Sequence, residues 1–61
     1  MPIVELKILG KLTEEQKAEI TKQFTRTLQE VAGKPPEYVY VVIHEIEREN
    51  WGHRGTLFSK M

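Results

Sequence analysis

TEEQKAEITKQFTRTLQEVAGKPP, residues 13–36, reads as one helix with both ends marked, and the fold follows from it. The Thr13 hydroxyl can accept from a free backbone N–H of the first turn, and Gln16, three residues on, can reach back to close a capping box. Glu14 and Glu15 sit where the positive end of the helix dipole favours acids. Ile20, Phe24, Leu28 and Val31 recur at steps of four, four and three, which puts them on one apolar stripe with Ala32 beside it. Lys17, Glu19, Lys22, Gln23, Arg26 and Glu30 fall mainly off that stripe and read as solvated. Gly33 suits a left-handed C-terminal cap, and Pro35-Pro36 prevent the helix from resuming.

On either side of this helix lies a strand. Ile3 to Leu9 alternates, with Val4, Leu6 and Ile8 on one face and Ile3, Glu5, Lys7 and Leu9 on the other. Gly10-Lys11-Leu12 is a loop. Tyr38 to Ile46 is rich in β-branched and aromatic residues; Val39, Val41, Ile43 and Glu45 share one face, and Tyr40, Val42, His44 and Ile46 the other. A strand, a helical crossover and a second strand form a βαβ unit, so the strands are expected to run parallel with a right-handed connection. Glu47 to Asn50 is a charged turn, Trp51 to Gly55 a glycine-bearing loop, and Thr56-Leu57-Phe58 a short closing strand. The expected class is α/β (α+β), a single domain over residues 1–61.

Such a unit does not close a core. A chain of 61 residues buries only about 60% of its unfolded surface, and one helix covers one face of a two-stranded sheet, leaving the other face and the edges bare. Cysteine is absent, so disulfides are excluded; His44 and His53 are the only histidines and aspartate is absent, so no metal site is expected. Self-association is the remaining support. Nine basic and nine acidic residues cancel, which argues against a nucleic-acid binder. No apolar run approaches the roughly 18 residues of a membrane span, and the start lacks a signal-peptide pattern. These points lead to the expectation of a soluble, cytoplasmic protein.

The start Met1-Pro2-Ile3, the segment Gly10-Lys11-Leu12-Thr13-Glu14-Glu15-Gln16-Lys17, the strand Val39 to Glu45, and Asn50-Trp51-Gly52 followed by Gly55 together resemble the tautomerase superfamily, specifically the 4-oxalocrotonate tautomerase group. The resemblance spans essentially the whole chain. It implies βαβ subunits that pair into dimers and commonly into hexamers, no cofactor, and catalysis by an amino-terminal proline exposed when methionine is removed. That residue maps to Pro2. Its nitrogen, neutral in an apolar pocket because desolvation disfavours the ammonium form, would shuttle a proton on a small enol or unsaturated keto acid. The aromatic residue that packs on substrate maps to Trp51, for which core or interface packing is the other open reading. The two arginines that hold substrate oxygens in that group map to Leu12 and Tyr40, so neither is present.

Four cations stand as replacements: Lys11, Arg26, Arg48 and Arg54. Arg54 leads, since it shares a loop with Trp51. Lys11 offers a point charge without the arginine fork, and Arg26 and Arg48 read as surface charges. Tyr40 can donate to a substrate oxygen or fill a subunit interface. His53 lies where dehalogenating relatives carry a water-activating acid, although a solvated loop histidine is the simpler reading, and His44 reads as structural. Three functions remain open: a homo-oligomeric proline-dependent isomerase, one subunit of a hetero-oligomer whose paralogous partner supplies arginines, and a scaffold that keeps the fold without the chemistry.

Overall fold

The computed structural model describes residues 1–61. Its elements run β1 (Ile3–Leu9), α1 (Glu14–Ala32), β2 (Tyr40–Ile46), β3 (Gly52–His53) and β4 (Thr56–Leu57), with single 3-10 turns at Pro36–Tyr38, Arg48–Asn50 and Phe58–Lys60. β1 and β2 are parallel and in register from Ile3 opposite Tyr40 to Leu9 opposite Ile46. β3 and β4 form a separate antiparallel hairpin. The βαβ architecture expected from the sequence is therefore present.

Both helix ends match their sequence marks. Thr13 accepts from the Gln16 backbone N–H while Gln16 Oε1 accepts from the Thr13 backbone N–H, completing the capping box. Gly33 adopts φ 66°, the left-handed cap that leaves its N–H free to reach Gln29. A helix of 19 residues is about 28 Å long, whereas a strand of 7 spans about 23 Å. The last turn therefore overhangs the sheet. This corrects the inward stripe: Ile20, Phe24 and Leu28 are half-buried, but Val31 is 83% exposed.

The second strand begins later than its composition predicts. Pro36 opens a 3-10 turn in which Tyr38 N–H reaches Pro35 O and Val39 N–H reaches Pro36 O, so Tyr38 is spent on the turn and pairing starts at Tyr40. Proline's fixed φ suits the first position of such a turn.

One ion pair marks which sheet face the helix covers. Glu45 Oε1 lies 3.1 Å from Lys17 Nζ, and Glu45 Oε2 accepts from Leu12 N–H at 2.8 Å. Glu45 shares its face with Val41 and Ile43, opposite Val4, Leu6 and Ile8. These five apolar residues are half-buried beneath α1. The opposite face is open: Ile3 is 61%, Tyr40 50% and Val42 41% exposed. Glu5 and Lys7 are also exposed on that face, while Leu9, His44 and Ile46 are half-buried. His44 Nε2 stands 3.7 Å from Glu5 Oε2, too far for a hydrogen bond, and has no other partner.

None of the 61 residues is fully buried. The radius of gyration is 14.7 Å, against about 10.5 Å for a compact domain of this length, and the extents are 43 × 24 × 14 Å. The subunit is a slab with a half-formed interior. No helix is long and apolar enough to cross a membrane.

Candidate active site

The sequence-selected residues separate toward two ends of the sheet. At one end, the Pro2 carbonyl accepts from Tyr40 N–H at 3.0 Å, in the first rung of the β1–β2 ladder, where Ile3 stands opposite Tyr40. That bond fixes the Pro2 carbonyl, and the pyrrolidine ring fixes the torsion on its other side. Pro2 is half-buried and Tyr40 is half-exposed beside it, on the open face with Ile3. The structure thus brings together Pro2 and Tyr40.

At the other end, Gly10 N–H closes the ladder on Ile46 O at 3.0 Å. Lys11 follows, exposed and without an ion pair, and Leu12 is tied back to Glu45. The Leu12 N–H bond and then the Lys17 hydrogen bond hold the Glu45 carboxyl below the usual value of 4.5. Glu45 is missing from the sequence-derived candidates; its place at the end of an otherwise apolar strand face was the available signal. The length of β1 puts Lys11 about 23 Å from Pro2 within a chain.

Trp51 and Arg54 lie beyond β2, which ends beside Leu9 at the Lys11 end. They belong to the β3–β4 hairpin, whose β4 packs against the 3-10 turn at Arg48–Asn50, which in turn meets the one at Phe58–Lys60. Arg54 and Gly55 form its two-residue turn, with φ 54° and 81°. Positive φ at both central residues is the hairpin geometry matched to strand twist. Gly55 adopts it freely, whereas Arg54 is held in a region that costs a non-glycine residue on the order of 1 kcal/mol. Its exposed guanidinium has no ion pair or hydrogen bond within the chain.

Trp51 is half-buried against Phe58, with centroids 6.3 Å apart and planes at 62°. His53 meets the same ring edge-on at 6.5 Å. The closing segment differs from expectation: Thr56 and Leu57 are strand, but Phe58 begins a 3-10 turn closed by Met61 N–H on Phe58 O at 3.2 Å, while its own N–H goes back across the hairpin to Trp51 O at 2.9 Å. Arg48 is also more than a surface charge. It donates from Nη2 to Phe58 O at 2.8 Å, and its guanidinium carbon lies 5.8 Å from the Phe58 ring centroid. Arg26 remains an exposed helix residue.

A βαβ slab with an open sheet face, a proline anchored at the first rung and a C-terminal aromatic hairpin defines a small α+β class. The chain belongs to the tautomerase family: the family model described as "Tautomerase enzyme" matches residues 2–61. It is 40% identical over 55 residues to a 2-hydroxymuconate tautomerase of Comamonas testosteroni, covering 90% of this chain and 87% of that one. The crystal structure of a 4-oxalocrotonate tautomerase homologue superposes with a TM-score of 0.90 at 30% identity, covering 100% of this chain and 97% of the other. A heterohexamer 4-oxalocrotonate tautomerase from Chloroflexus aurantiacus J-10-fl shares the fold, with a TM-score of 0.85 at 21% identity and coverage of 100% and 98%.

Proposed function

We propose that residues 1–61 form the single-domain subunit of an oligomeric isomerase, in which Pro2, freed by removal of Met1, moves a proton within a small enol or unsaturated keto acid. The observation that carries this reading is the anchored Pro2 carbonyl beside Tyr40. While Met1 is attached, the Pro2 nitrogen is a tertiary amide and has no lone pair to offer. Met1 is 81% exposed and accessible to an aminopeptidase. Its removal leaves a secondary amine whose ring and carbonyl are both restrained, so a general base enters the reaction already oriented.

The reaction needs no redox partner. The neutral Pro2 nitrogen accepts the enol hydroxyl proton as the carbonyl forms, and the resulting ammonium returns a proton to the carbon terminus of the unsaturated system. An apolar enclosure keeps the amine neutral between turnovers. Arg54 and Lys11 are the cations available for the substrate carboxylate, Trp51 supplies an apolar wall, and Tyr40 offers its hydroxyl to the substrate oxygen. The 23 Å separation supports a site assembled from more than one chain, because Lys11 and Pro2 of one subunit do not reach a common small molecule. A hexamer built from three dimers is the assembly this reading favours.

A second reading has its own observation. Leu12 and Tyr40 stand at the two positions where the resemblance implies arginines, which favours a hetero-oligomer whose paralogous partner contributes them. One experiment addresses both. Intact mass establishes removal of Met1, and the processed chain is assayed for ketonisation of phenylenolpyruvate, alone and mixed with an arginine-bearing paralogue. Activity alone, lowered on the order of 100-fold or more by Pro2→Ala, supports the first reading. Activity only in the mixture supports the second, and inactivity of the processed chain in both leaves the scaffold. An active preparation retaining Met1 in every molecule would overturn the proline mechanism.

A further inference from the structure

The hairpin that carries Trp51 and Arg54 has little to hold it. Its strands have two residues each, and a two-stranded hairpin is marginal in water even when longer. β4 packs on the turn at Arg48–Asn50, and that turn packs on the one at Phe58–Lys60, rather than either resting chiefly on β1 or α1. Phe58 is the point where these pieces meet. Its ring is approached by Trp51 and His53 edge-on, its N–H is bonded to Trp51 O, and its carbonyl accepts from Arg48.

From this clamp we infer that Arg48 and Phe58 are positioning residues, which fix the pose of Trp51 and Arg54 without touching substrate. The role in substrate binding rests on the proposed isomerase reading; the clamp itself does not. Arg48 is suited to the task by its planar fork. One guanidinium nitrogen donates to the Phe58 carbonyl at 2.8 Å while the group lies 5.8 Å from the ring centroid of that same residue. A charged donor strengthens the first contact and the ring quadrupole favours the second. Lysine can make the hydrogen bond but has no flat face to set against the ring. With both contacts made, Phe58 is braced, and the two aromatic residues resting on it become rigid with it. The Arg54 turn lies between His53 and Thr56, the last hairpin pair, so its guanidinium is aimed by the same brace.

Trp51 is the only tryptophan, so its fluorescence reports on this hairpin alone. Arg48→Ala and Phe58→Leu should each red-shift the emission and raise acrylamide quenching about twofold as the indole is released, with far-UV circular dichroism and oligomer mass unchanged. Arg48→Lys should fall between Arg48→Ala and wild type, and Arg26→Ala should match wild type. In the ketonisation assay, KM should rise about tenfold in Arg48→Ala with kcat within about twofold, the mark of lost binding rather than lost chemistry. Unchanged tryptophan emission in both clamp variants overturns the clamp. Shifted emission with unaltered KM overturns the positioning role. If wild-type chain proves inactive, the isomerase reading fails while the fluorescence still decides the clamp.

Discussion

Pro2→Ala chains mixed one-to-one with Arg54→Ala chains, and allowed to assemble together, should regain activity that neither parent has. Pro2 sits at the first rung of β1, while Arg54 belongs to the hairpin that follows the opposite end of β2. The strand between those ends is about 23 Å long, several times the length of a small keto acid. If a site draws its proline from one chain and its guanidinium from another, each comes intact half the time. Random assembly then completes about one quarter of the sites, so the mixture should reach about 25% of the wild-type rate. If both residues came from one chain, every chain would carry one defect and no complete site would form. The assay is phenylenolpyruvate ketonisation on co-refolded protein, with native mass spectrometry showing that mixed oligomers are present. Mixed oligomers whose rate stays at the sum of the parents would refute the shared site. An Arg54→Ala parent with the full wild-type rate would remove Arg54 from the site altogether.

Two further outcomes test the packing on which that site depends. Val42→Lys sets a cation beside its cross-strand neighbour Glu5, sparing the strand pair but charging the open face; analytical ultracentrifugation should show smaller species, and an unchanged mass would mean that this face is not a joint. Ile3, 61% exposed, stands to gain about 1–2 kcal/mol when that face is covered, so Ile3→Ala should weaken the same association less severely. Glu45 concerns acid stability. Its carboxyl is held below 4.5 in the folded chain, first by Leu12 N–H and then by Lys17, so its contribution is complete above that value and lost as pH falls through the folded value. The melting-temperature gap between wild type and Glu45→Gln should therefore be widest near neutrality and close in acid; a gap independent of pH would exclude the charged carboxylate as its cause.

The parts of the fold that depend on neighbouring residues were legible in the sequence. Thr13 and Gln16 reach only across one turn, Gly33 needs only its own φ, and the alternation of Val4, Leu6 and Ile8 needs only the pleat. Features that depend on the relative lengths of elements were not. Val31 keeps the helical period yet projects past a sheet shorter than the helix. Tyr38 has a strand former's side chain but lies within the reach of Pro35 and Pro36. For the site, the aromatic and cationic candidates were identifiable by type, whereas their distribution over opposite ends of the slab follows from the parallel register. Arg48 reads as a surface charge in the sequence because its partner is a main-chain carbonyl ten residues away, and no side-chain pattern reports such an acceptor.

The absence of any fully buried residue bears on how the protein is inventoried after synthesis. If the chain assembles as proposed, a lone copy has little interior to resist opening, so dilution favours its unfolding and mass action favours survival in company. Orphans are then the copies that proteases remove first. If the working particle contains two kinds of chain, the surplus of either one is cleared without a dedicated sensor. The stoichiometry of the particle is then kept by the turnover of what fails to join it.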